Sequence, residues 1–156
     1  MLESRTMRKF STAIAFILLA TLAAVVSAKA VKTVTITGTE QMKWDVPSIQ
    51  AAPGDQIHVI LKATGSMPKV AMAHNFVLLK AGVNPQDVAN AAMTARETDF
   101  IPASMKDSII AHTGLAGGGE STEVTFKAPA KPGTYPYLCT FPGHFAVGMK
   151  GELVVK

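Results

Sequence analysis

Short runs of β-branched and aromatic residues, each ended by glycine or proline, recur along this chain and restrict it to packed sheets. Val34 and Ile36 alternate with Thr33, Thr35 and Thr37, the period of a half-buried strand. Pro53-Gly54-Asp55 turns the chain before Ile57–Leu61, and Asn75–Leu79 runs up to Ala81-Gly82. Gly117-Gly118-Gly119 precedes Val124 and Phe126, Pro132-Gly133 precedes Tyr135, Tyr137 and Cys139, and Leu153 and Val155 form a last strand. One segment departs from this pattern. Asn84 is suited to cap a helix, Pro85 to open it, and Asp87 to sit in its first turn, with Val88, Ala91, Ala92 and Ala95 at helical spacing. The spacing predicts a helix from about Pro85 to Arg96, then an irregular stretch to about Lys106. The fold class is all-β, a sandwich or barrel with a short helical insertion.

Residues 1–28 read as a signal peptide, and residues 29–156 as one domain. Arg5, Arg8 and Lys9 precede an uncharged apolar run, Ala13 to Val26, and Val26-Ser27-Ala28 offers a cleavage site, with another at Ala28-Lys29-Ala30. The alternative is a retained membrane anchor, since the run from Phe10 to Ala28 is close to the ~20 residues that span a bilayer. With cleavage, the protein is periplasmic or otherwise extracytoplasmic, off the membrane, and expected to be a monomer. No Lys/Arg cluster remains, which argues against nucleic-acid binding.

An exported chain with a single cysteine cannot close an internal disulfide, so Cys139 needs another explanation. It opens the segment Cys139-Thr140-Phe141-Pro142-Gly143-His144-Phe145-Ala146-Val147-Gly148-Met149. A thiolate, an imidazole and a thioether thus lie in one bendable loop after a strand. His74, beside an earlier β-run, can supply a fourth donor. Two imidazoles, a thiolate and a weak thioether suit one type 1 copper ion, and a stiff frame between the preferences of Cu(I) and Cu(II) favours fast electron exchange. Zinc competes for Cys and His, but a methionine ligand is foreign to it.

The segment from Cys139 to Met149, with Lys150-Gly151, resembles the copper loop of azurins and auracyanins in the cupredoxin family. Met72-Ala73-His74-Asn75-Phe76-Val77-Leu78, Ile110-Ala111-His112-Thr113, Val124-Thr125-Phe126 and Gln41-Met42 are similar to azurin segments, so the resemblance spans residues 31–156. It implies an eight-stranded Greek-key sandwich with a helical flap. It implies His74, Cys139 and His144 as strong ligands, Met149 as a weak axial one, and the Ala73 carbonyl opposite it. It also implies that Asn75 ties the first ligand strand to the loop, and that the Asn75 and Phe141 N–H groups donate to the Cys139 sulfur. Three departures stand out: four residues separate His144 from Met149, a longer form more like auracyanin, where azurins have three; the azurin disulfide cannot form; and Phe76 stands where azurins usually carry tryptophan.

The leading function is a one-electron carrier, not an enzyme, serving transient redox protein partners. These would dock near His144 on an apolar rim of Met72, Phe141, Pro142, Phe145, Ala146 and Val147. A copper delivery or storage protein is the alternative. A thiol enzyme leaves Met149 unexplained, and a copper nitrite reductase needs a second metal site. His58 and His112 are expected to be ordinary surface or satisfied histidines, Met42, Met67, Met93 and Met105 to be packing residues, and Trp44 has no assigned role.

Overall fold

The alternating threonines and aliphatics of Lys32–Gly38 form strand β1, whose inner side chain Ile36 is fully buried. In this computed structural model residues 30–156 are described, and the proposed signal peptide lies outside them. Next come β2 (Ser48–Ala51), β3 (Gln56–Ala63), β4 (Ala73–His74) and β5 (Val77–Leu79). Helix α1 (Pro85–Ala92) and two 3-10 turns, Arg96–Thr98 and Ala103–Ser108, separate these from β6 (Ile109–His112) and β7 (Ala116–Gly117). The chain ends with β8 (Ser121–Lys127), β9 (Gly133–Leu138) and β10 (Lys150–Val155).

One sheet has the order β1-β3-β8, a second β2-β10-β9-β5-β6, and β4 pairs with β7 alone. The pairs β1–β3 and β2–β10 are parallel; the rest are antiparallel. Ten strands among the described residues replace the expected eight because two long strands are each bent into pieces. β4 leads into β5 and β6 into β7, and at the bend Phe76 accepts a bond from the Thr113 N–H (3.0 Å) and donates to its hydroxyl (3.0 Å).

The two main sheets form a sandwich over Ile36, Ile57, Val59, Leu61, Phe76, Leu78, Tyr137 and Leu153, all completely buried. Phe76 lies between Tyr137 (centroids 5.0 Å apart) and Phe126 (6.3 Å). Burying such a ring contributes about 2–3 kcal/mol. It fills the space with a smaller ring than the tryptophan of azurins. A second cluster, Val77, Leu79, Val88 and Leu138, lies under the flap.

The helix begins as expected, with the Asn84 side chain accepting from the Gln86 N–H (3.1 Å), but stops at Ala92. Its last turn tightens, with Ala95 N–H bonding Ala92 O (2.9 Å), and the left-handed Asp99 and Phe100 (φ 53° and 60°) then reverse the chain. Only Val88 and Ala92 of the expected apolar stripe are buried within it. Met67 and Met93, expected to pack, are exposed instead.

Candidate metal centre

His74 ends β4 and Cys139 follows β9, so the bent β4–β5 strand and the β9 end bring them together at one end of the sandwich. The loop from Cys139 is closed at its base by the Leu138–Lys150 pair and by the Cys139 N–H bonding Met149 O (3.1 Å). Within it, His144 N–H bonds Phe141 O (3.1 Å), Gly148 N–H bonds Phe145 O (2.9 Å) and Met149 N–H bonds His144 O (3.0 Å). The second of these turns uses φ +95° at Gly148, a left-handed conformation that suits glycine. These bonds fold the loop back so that His144 and Met149 return toward Cys139.

The donor atoms of His74, Cys139 and His144 all lie within 4.8 Å of one another. The two Nδ1 atoms are 3.2 Å apart, and His144 Nδ1 is 3.4 Å from Cys139 Sγ. All three residues are buried. Met149 is fully buried as well. Its methyl group and the His74 ring press on the same point: a Cβ on Gly38 would stand 2.8 Å from His74 Cδ2 and 3.1 Å from Met149 Cε. Three of the four sequence-expected donors thus cluster, and the Met149 side chain lies beside the His74 ring.

Burial sets their protonation. It lowers the His74 and His144 pKa values to about 4, from the ordinary 6.5. For His144 the neighbouring His74 charge adds to this; for His74 an interaction with the Thr39 carbonyl offsets part of it. His74 Nε2 is buried, without another polar partner among the described residues. Burial pushes the Cys139 thiol up to about 12, against the backbone N–H groups of Asn75 and Phe141, which pull it down. Without metal, near neutral pH, the centre holds two neutral imidazoles and a thiol. Two lone-pair nitrogens and a sulfur, turned toward each other in a dry site, fit a soft cation that displaces the thiol proton.

Asn75 does more than cap a turn. Its Nδ2 donates to Thr140 Oγ1 (2.8 Å) and the Asp99 carbonyl (2.9 Å), and its Oδ1 accepts the Thr140 N–H (2.8 Å). The His74 strand is thereby joined to the Cys139 loop, as the resemblance implies. The Asn75 and Phe141 N–H groups face the sulfur as expected.

Two residues at the centre lie outside the expected set. Gly38 leaves the gap that the His74 ring and Met149 methyl fill. Trp44 meets the His74 ring edge-on, with centroids 6.2 Å apart. Neither carries a sequence signal, because a glycine at a strand end and a lone tryptophan are both commonplace. His58 is elsewhere, paired with Glu123 (3.1 Å), and His112 is exposed, its Nδ1 near Thr113 O (3.2 Å). Of the rim, Pro142, Ala146 and Val147 are exposed, and Met72 and Phe141 half-buried. Phe145 packs instead against the cluster under the flap.

A sandwich carrying this buried His-Cys-His group beside a methionine is a cupredoxin with a site fitting one type 1 copper ion. The comparisons with known proteins agree. Residues 30–156 match the plastocyanin/azurin family of copper binding proteins, and the chain belongs to that family. It is 37% identical over 119 residues to auracyanin-A of Chloroflexus aurantiacus, covering 75% of this chain and 69% of that one. It is 39% identical over 131 residues to azurin of Bordetella pertussis, covering 77% and 81%. The solved structure of auracyanin A, described as a "blue" copper protein, superimposes with a TM-score of 0.72 at 35% identity, over 81% of this chain and all of that one. These relatives support a blue copper electron carrier.

Proposed function

We propose that this chain is an exported one-electron carrier, with copper held strongly by His74, Cys139 and His144 and weakly by Met149. The observation that carries the reading is the convergence of three buried donors within 4.8 Å, two of them neutral imidazoles. Bound copper supplies the one-electron couple between its two oxidation states.

The protein's residues do the rest. The Asn75–Thr140 bonds and the closed loop base fix the donors, so little rearrangement accompanies electron arrival. The N–H groups of Asn75 and Phe141 draw charge from the Cys139 sulfur. His144 is 2% exposed and lies against the Phe141 ring (4.9 Å), so its edge is the short way out for an electron. The rim of Met72, Phe141, Pro142, Ala146 and Val147 around it suits brief docking by redox proteins.

Enzymatic and storage readings fare worse. A thiol fully buried and held near pKa 12 is a poor nucleophile. Copper delivery needs exchangeable ligands, whereas these donors are closed off. Residues 1–28 would direct export and be removed, leaving residues 29–156 as a monomer in the periplasm or an equivalent compartment. No helix among the described residues is long and apolar enough to cross a membrane.

The test is one absorption spectrum. The copper-loaded protein should show intense sulfur-to-copper charge transfer in the red part of the visible range and look blue. The Cys139→Ala variant should be colourless and redox-silent. A colourless wild-type protein with copper bound would end this reading.

A further inference from the structure

The loop between β1 and β2 lies across the metal centre. Trp44 pairs with Gly38 as an isolated antiparallel bridge, so its ring is carried by the strand end that abuts both His74 and Met149. The loop is braced internally by Met42 N–H to Thr39 O (2.8 Å) and by Thr37 N–H to the Asp45 carboxylate (2.6 Å). It is also clipped to the copper loop: Lys43 Nζ donates to Val147 O (3.1 Å), within the stretch that is one residue longer than in azurins. The indole touches the main core on one side and the His74 ring on the other, and its N–H is buried without a partner among the described residues. A side chain carrying a polar atom at the cost of leaving it unbonded is held there by its shape.

We propose that Trp44 is a positioning residue for the copper ligand His74. Its flat edge limits the imidazole tilt and keeps water from the metal on the β1–β2 side, alongside the interaction of His74 with the Thr39 carbonyl. Metal-ligating histidines are ordinarily oriented by a hydrogen bond on the second ring nitrogen; here aromatic packing adds to the Thr39 carbonyl interaction. The inference rests on the type 1 copper reading.

Three variants and one titration test it. Trp44→Phe keeps an aromatic edge and should stay near wild type in reduction potential and in copper loss to a chelator. Trp44→Ala should release copper about 10-fold faster or more, the usual effect of losing an outer contact to a ligand. Its potential should fall, because admitted water favours the more highly charged oxidised state. Trp44→Leu restores bulk without a flat edge and should shift both quantities in the same direction, which keeps the test open if the alanine variant does not fold. In the metal-free wild type, emission from this sole tryptophan should be quenched by one equivalent of copper. Folded Ala or Leu variants that match wild type in potential and copper release overturn the inference, as does unquenched emission in a protein that turns blue. Absence of blue colour in the wild type sinks the copper reading itself.

Discussion

Replacing Asn75 with leucine should unfold the metal-free protein about 3 kcal/mol more easily. The side chain is fully buried and makes three short bonds, to Thr140 Oγ1, the Asp99 carbonyl and the Thr140 N–H. At about 1 kcal/mol net per bond, their loss costs ~3 kcal/mol. The Thr140 N–H is left unpaired in a buried site, which adds to the cost, and burial of the leucine side chain offsets a comparable amount. For a domain of this size, about 3–4 °C per kcal/mol makes the Tm fall ~10 °C. Urea unfolding of wild type, Asn75→Leu, Thr140→Val and the double variant gives the coupling directly. The double variant should be less destabilised than the sum of the singles by about 1 kcal/mol, because both singles break the same bond. An Asn75→Leu protein within ~0.5 kcal/mol of wild type, or additive effects, would refute the claim that this network joins the strand to the loop.

Three further outcomes are expected. Gly38→Ala should cost about 1–3 kcal/mol by overpacking and alter the visible spectrum, since the new methyl displaces the His74 ring or Met149; an unchanged spectrum and Tm would contradict the packing described. Met149→Leu should keep copper and raise the reduction potential, because loss of a sulfur donor disfavours Cu(II); a measured fall would count against an axial thioether. The metal-free protein should lose stability as pH drops from 6.5 to about 4, the interval in which the unfolded chain protonates both histidines and the folded one resists. Above that interval the contribution is fully present and below it no more is lost; a flat denaturant midpoint across this range would refute the neutral-imidazole assignment.

The His74, Cys139 and His144 cluster was legible because chemistry, not packing, singles it out: few sequences place a lone thiol with an imidazole and a thioether in one loop. Long alternating strands such as β1 and β3 were legible for the same reason that they are stable, since each buries one clean face. β2 was missed because Ser48–Ala51 buries only Ile49 and Ala51 and shows too little alternation to register. The early helix end was missed because Ala95 keeps helical spacing, while the reversal at Asp99 and Phe100 is imposed by the fold around them. Trp44 and Gly38 act on His74 across a bend between strands, and no local pattern reports a contact of that kind.

The rung formed by Leu138 and Lys150 separates two kinds of sequence change. Residues above it, between Cys139 and Met149, can be added or exchanged without disturbing the pairing below, so an additional residue between His144 and Met149 alters the span over the metal and its Lys43–Val147 contact but not the sheet. A one-residue slip in β9 or β10 would instead turn Tyr137 and Leu153 outward and dissolve the interior. Tuning of the redox centre and preservation of the scaffold are thus decoupled, and the segment behaves as an exchangeable cassette on a frame that does not register the exchange.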